Sequence, residues 1–157
     1  MPRYLRAETR IAAPAETIYA ILTDMPGYAR WNPWIPQCSA GAMKVGAIYT
    51  LTVLLNGKPK VVSHEVTALR PNEYFAWRDL GWITWFVQGS RSRTLVPLAD
   101  GRVDCRIEMR LGGLLAWLVP LLYGRSLQEG MAMELAGLKR YAEAALPSSS
   151  GIPKNSQ

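Results

Sequence analysis

Few residues in this chain can do acid–base chemistry or polar recognition. His64 is the only histidine among 157 residues. Along a strand, Val62, His64, Val66 and Ala68 share one face, and Val66 marks that face as inward, so the imidazole points toward the interior. There it can titrate near neutrality as a general acid or base, or donate a hydrogen bond to a ligand carbonyl or hydroxyl. The plainer alternative is a satisfied core histidine, since spacing fixes no partner carboxylate or nucleophile. Asp79 shares a face with Phe75 and Trp77. Buried there, it needs His64 or Arg91 as partner; at a strand end beside Gly81, it sits in solvent. Tyr49 or Asp79 would assist a proton shuttle centred on His64, provided the groups come within about 2.6–3.2 Å of the reacting atoms.

Six tryptophans add large apolar area and ring N–H groups able to orient a polar ligand atom. Core filling accounts for about half of them, with Trp77 in a strand. Trp31, Trp34, Trp82 and Trp117 fall in loops or turns, where the mouth of a pocket would be.

These side chains need a scaffold, and the pattern supplies one. Tyr4 to Ala12 alternates as a half-buried strand. A helix follows, with Pro14 in its first turn and Ile18, Ile21 and Leu22 on one face. Asp24 to Gly27 ends it, and Tyr28 to Trp31 makes one further helical turn before Asn32-Pro33. From Ala47 to Leu111 the chain reads as antiparallel sheet. Ala47–Leu55 and Lys60–Leu69 are joined by Asn56-Gly57, a hairpin signal. After the turn at Arg70-Pro-Asn72 come Glu73–Leu80, then Ile83–Gly89 with Arg91–Leu98 as one continuous or interrupted strand. Asp100-Gly101 leads into Val103–Leu111, where Val103, Cys105, Ile107, Met109 and Leu111 face inward.

The last element is a long helix from Arg125 to Ala145, with Leu127, Met131, Leu135, Leu138 and Tyr141 on one face. Before it lies an apolar stretch, Leu111 to Tyr123, that includes Trp117, Leu121 and Tyr123. Residues 114 to 123 read as a gate, a membrane-touching loop or ordinary core. Gly130 and Gly137 either leave room for a ligand or permit close packing on the sheet. This order of elements gives an α+β fold whose sheet curls around the last helix.

Composition narrows the function. The chain is long enough for one domain, residues 1–146, and a polar Pro/Ser-rich tail, 147–157, reads as disordered. The net charge of +6 is spread without a basic block or nucleic-acid motif, which argues against a nucleic-acid partner. Two cysteines without metal-ligand spacing point to free thiols, no metal and no cofactor. With neither a secretory leader nor a membrane-length apolar run, the chain reads as soluble and cytoplasmic.

Three stretches also resemble a known family: Ile11–Asp24 (IAAPAETIYAILTD) with Tyr28–Pro33 (YARWNP), then Arg70–Trp77 (RPNEYFAW), then Leu138–Glu143 (LKRYAE). Together they resemble the START/Bet v 1-like (SRPBCC) superfamily, in particular its small bacterial polyketide cyclase/dehydrase-like members. The resemblance implies a helix-grip fold: a curved antiparallel sheet wrapped around a long C-terminal helix, two short helices after the first strand, and an apolar cavity between sheet and helix. It also implies a lipid, polyketide or similar hydrophobic ligand, and cyclase or aromatase activity in some members. Many such members carry a histidine near Gly89–Arg93, where this chain has Gly-Ser-Arg-Ser-Arg.

Three functions follow as expectations. The first is binding of a hydrophobic small molecule by Trp31, Trp34, Tyr49, His64, Trp77, Asp79, Trp82, Arg91, Met109, Trp117, Leu121, Tyr123, Met131, Leu135 and Leu138. The second is an enzyme of cyclase or aromatase kind with His64 as its catalytic acid or base. The third is a lipid-shuttling or interaction module making transient membrane contact. The sequence leaves the ligand and the oligomeric state open.

Overall fold

The computed structural model describes residues 2–147; the expected disordered tail lies almost wholly outside them. Seven antiparallel strands form one sheet: β1 (Arg3–Ile11), β2 (Gln37–Cys38), β3 (Ile48–Leu55), β4 (Lys58–Arg70), β5 (Tyr74–Leu80), β6 (Gln88–Pro97) and β7 (Val103–Gly112). Their order across the sheet is β1-β7-β6-β5-β4-β3-β2, so the first strand closes against the last. Helices α1 (Ala15–Thr23) and α2 (Tyr28–Trp31) follow β1, and α3 (Leu118–Ala144) ends the described chain. This is the α+β, helix-grip arrangement expected from the sequence.

Local chemistry explains the joints. Asn56 and Gly57 both take positive φ, 50° and 72°, as a two-residue hairpin turn matching strand twist requires. In β7, Val103, Cys105, Ile107, Met109 and Leu111 are all buried while the residues between them face out. Cys38 and Cys105 are free thiols, and burial pushes both up to about 12.

Two expectations need correction. Ile83 to Val87 is no strand: Gly81, at φ 114°, turns the chain into a short 3-10 segment, Trp82–Trp85, and β6 starts only at Gln88. A short apolar run carries no periodicity that separates these outcomes. The second part of the apolar approach to the last helix, Leu118 to Tyr123, is helix itself, because α3 begins at Leu118 rather than Arg125. Pro120 falls in its first turn, where a missing N–H breaks no helical bond.

At about 1.5 Å per residue, the 27 residues of α3 span some 40 Å. The helix lies mainly along β1. Gln128 Nε2 donates to the Arg6 carbonyl at 2.7 Å, Lys139 Nζ to the Arg10 carbonyl at 2.5 Å, and the Ala12 N–H to Glu143 Oε1 at 2.9 Å. Its buried side includes Leu127, Met131, Leu135, Leu138 and Ala142, together with Glu134. Tyr141, expected on that face, is 37% exposed; the drift of a 3.6-residue period carries the contact to Ala142 instead.

Candidate functional site

Register across the sheet assembles the polar residues. One inward row pairs Tyr49 with His64 and His64 with Asp79. The next runs Val66, Trp77, Arg91, Met109, and a third Phe75, Arg93, Ile107. Strand alternation on β6 thus sends Arg91 and Arg93 inward, while α3 places Glu134 opposite them. Arg93 and Glu134 are fully buried, His64 is 3% exposed and Arg91 8%.

Arg93 donates to a single oxygen of Glu134, Oε1, from Nε at 2.8 Å and Nη2 at 2.6 Å. Its guanidinium also lies 4.3 Å from the Trp77 ring and 5.2 Å from Phe75. Burial works against its charge, but the Glu134 carboxylate more than restores it, leaving Arg93 above the ordinary arginine value. Such a pair contributes little net stability, yet removing one partner strands a buried charge at about 3–5 kcal/mol.

His64 stacks on Trp77, ring centroids 4.9 Å apart. Its Nδ1 approaches Asp79 Oδ1 at 3.1 Å without aligned hydrogen-bond geometry. Burial lowers the His64 pKa against the opposing pull of Asp79, so the ring is neutral at pH 7 and Nε2 has no protein partner. Asp79 is both things the sequence allowed: a partner of His64 and a strand-end carboxylate whose side chain remains 41% exposed. Gly89 makes room for it, since a Cβ there would meet Asp79 Oδ2 at 1.9 Å.

Arg91 has no ion-pair partner among the described residues; its guanidinium lies 4.5 Å from the Trp34 ring. Burial, with repulsion from Arg93 next, lowers its pKa to about 10, so it remains charged at pH 7. A cation–π contact of this kind contributes roughly 2 kcal/mol, less than the several kcal/mol a buried ion costs. Eleven side-chain N and O atoms in the described interior have no partner, among them Tyr28 and Tyr49 hydroxyls, Trp77 Nε1, Arg91 Nε and Nη1, Arg93 Nη1 and Glu134 Oε2.

Trp31 and Trp34 are buried, at 5% and 0% exposure; Trp31 also lines the cleft between α2 and the end of α3. Asn32 Oδ1 caps the turn by accepting from the backbone N–H of Trp34 and Ile35. Trp34 Nε1 then donates to the Leu54 carbonyl at 2.8 Å. The indole rests on Gly130, where any Cβ would come within 2.1 Å of it. Met131, Leu135 and Leu138, expected to border a gap, are all buried and belong to one apolar cluster with Met109. An open groove of about 500 Å³ lies elsewhere, beside the 82–85 turn and lined partly by Arg78, Asp79, Gly89 and Arg110; a cleft of about 220 Å³ separates α2 from the end of α3.

Trp82 and Trp117 are exposed, as a rim position implies, and so are Trp85, Phe86, Leu114, Leu121 and Leu122. The Leu115 N–H donates to the Phe86 carbonyl, which joins the 82–86 turn to the start of α3 in one apolar face. Tyr123 is only partly buried, packed against the core.

Arg93, Glu134 and Tyr28 escaped the sequence reading as site residues. Glu134 carried a signal: it stands three residues after Met131 and four before Leu138, a carboxylate on an apolar helix face.

A family model described as polyketide cyclase / dehydrase and lipid transport matches residues 4–143. Among solved structures, the Zhui aromatase/cyclase of Streptomyces sp. R1128 is similar over 97% of this chain and 100% of its own, at 17% identity and TM-score 0.80. A START superfamily protein of Mycobacterium smegmatis matches over 91% and 99%, at 23% identity and TM-score 0.71. Norcoclaurine synthase of Thalictrum flavum, solved with dopamine and hydroxybenzaldehyde, matches over 94% and 90%, at 15% and 0.68. No curated protein matches the chain.

Proposed function

The chain belongs to the polyketide cyclase/dehydrase and lipid transport family, and from that premise we propose that it binds a hydrophobic small molecule carrying oxygen functions, of lipid or polyketide type, between the sheet and α3. The observation that carries this reading is the set of buried polar atoms without a protein partner, those of His64, Arg91 and Arg93 lying beside the rings of Trp34, Trp77 and Phe75. Each such atom costs about 1–3 kcal/mol when nothing bonds to it. A flat or chain-like ligand with carbonyl and hydroxyl groups offers these donors acceptors and buries its apolar body against the aromatic rings. Neutral His64, with Nε2 free, adds a base at the same place; a cyclase-type role for it rests on the same ligand.

Native mass spectrometry of the purified protein, with solvent extraction, is expected to show a bound organic species. Titration with naphthol is expected to quench tryptophan fluorescence saturably. Absence of both an adduct and a saturable response would remove the reading.

The apolar face at residues 82–86 and 114–122 favours a second reading, contact with an anionic lipid surface. Tryptophans prefer the headgroup level, and Arg110 and Arg3, near the same end of β7, have no ion-pair partners among the described residues. Wild type is expected to co-sediment with phosphatidylserine vesicles and Trp85→Asp or Trp117→Asp to do so about tenfold less. Equal binding by all three, or capture of a protein partner instead, would exclude the lipid surface.

A further inference from the structure

Resting on the lipid-surface reading and deepening it, we infer that the open groove beside the 82–85 turn takes the phosphate of an anionic phospholipid headgroup, held by Arg110. The outer face of the sheet leaves a charge free at that place. β1 and β7 oppose each other in four rungs there, and three are matched: Arg10 with Asp104 at 2.7 Å, Glu8 with Arg106 at 3.0 Å and Arg6 with Glu108 at 2.6 Å. The fourth sets Arg110 against Tyr4. On its other side Arg110 faces Ser90, and beyond Ser90 stands Arg78, whose Nε donates to Glu65 at 2.7 Å. Opposite charges across strands support a sheet, and Arg110 is the rung cation left without one among the described residues.

The open space lies at this break. The groove holds about 500 Å³, with Arg78, Ser90, Arg110, Gln88 and Thr84 among its lining. At Gly112, which also lines it, an added Cβ would meet nothing within 4 Å. Asp79 is the carboxylate on its wall, and that side chain turns to the inner face, with Oδ1 3.1 Å from His64. A tetrahedral phosphate offers oxygens to the guanidinium on one side and to the Ser90 hydroxyl on the other. Position favours a lipid over a free anion, because the same turn carries Trp82 and Trp85 at 75% and 85% exposure, side chains suited to the level of the headgroups. A choline headgroup would bring a further cation beside two arginines, so the lipid is one with net negative charge.

The test titrates dihexanoyl phosphatidic acid, dihexanoyl phosphatidylcholine and inorganic phosphate calorimetrically into the whole chain at neutral pH, beside co-sedimentation with phosphatidylserine vesicles. Wild type is expected to bind the phosphatidic acid about tenfold or more tighter than either other probe. Arg110→Gln breaks no ion pair of the fold and should lose that preference, while Arg110→Lys, which keeps the charge, should retain part of it. Arg140→Gln removes the same charge from an exposed position at the far end of α3 and should change the affinity by less than about twofold. A preference undiminished in Arg110→Gln, an equal loss in Arg140→Gln, or inorganic phosphate or the choline lipid bound as tightly as phosphatidic acid would each overturn the headgroup site. If Trp85→Asp at the same time weakens vesicle binding, the lipid-surface reading stands without it. If wild type binds neither the vesicles nor the short-chain lipids, both fall.

Discussion

The cluster beneath α3 and the face at residues 82–86 and 114–122 invert the usual partition of a globular protein in opposite senses. In the first, two arginines and a glutamate are buried with hydrogen-bonding capacity left over. In the second, three tryptophans stand in solvent, Trp85 at 85% exposure. Buried charge and exposed aromatic surface are both costly in an isolated chain, and both are informative for that reason. The inner cluster is bound into the fold and cannot be altered without disturbing it. The outer face is attached to the fold by little, so its cost is one of association rather than stability.

The largest expected effect separates the two regions at once. Glu134→Gln leaves the Arg93 charge buried without its counter-ion and should cost about 3–5 kcal/mol in urea unfolding; a loss under about 1 kcal/mol would mean the pair is not the anchor of the inner cluster. Next is Gly130→Ala. On an open helix it would gain up to about 1 kcal/mol, but against Trp34 it should lose about 1–3 kcal/mol by overpacking, and a gain would show the indole to be loosely held. The pH dependence is smaller. Burial holds native His64 below its ordinary value of 6.5, so the unfolded chain takes up the proton first. Stability is therefore complete above about pH 6.5 and declines as acid passes down through the native value. His64→Asn should flatten that slope, and an unchanged slope would assign it to other groups. Smallest of all, Trp85→Asp should shift stability by no more than about 0.5 kcal/mol; a larger loss would make the outer face part of the core.

The scaffold was legible in the sequence because it is written in period. Alternation in β1 and β7, the Asn56-Gly57 turn and the apolar face of α3 each state their own geometry. The site was half legible. His64 is inward by counting, and the register sets Tyr49, Asp79 and Trp77 near it; Arg91 was legible only as a possible partner of Asp79. Trp34 lies deeper than a loop position suggests, because such a position says nothing of depth: the backbone around Asn32 is irregular, yet it folds into the core and carries Trp34 under the helix. Glu134 went unnoticed because a carboxylate on an apolar helix face has meaning only once a strand from far along the chain brings Arg93 opposite it.

The side chains that α3 sends to the backbone of β1 carry one more consequence. A first strand at the margin of a sheet offers its free amides and carbonyls to any other extended chain. Here Gln128, Lys139 and Glu143 occupy those positions from within the same molecule, and at the opposite margin β2 has only two residues. Growth of the sheet by addition of a second copy is thus blocked on one side and starved of length on the other, so α3 acts as a guard against aggregation as well as a lid on the core.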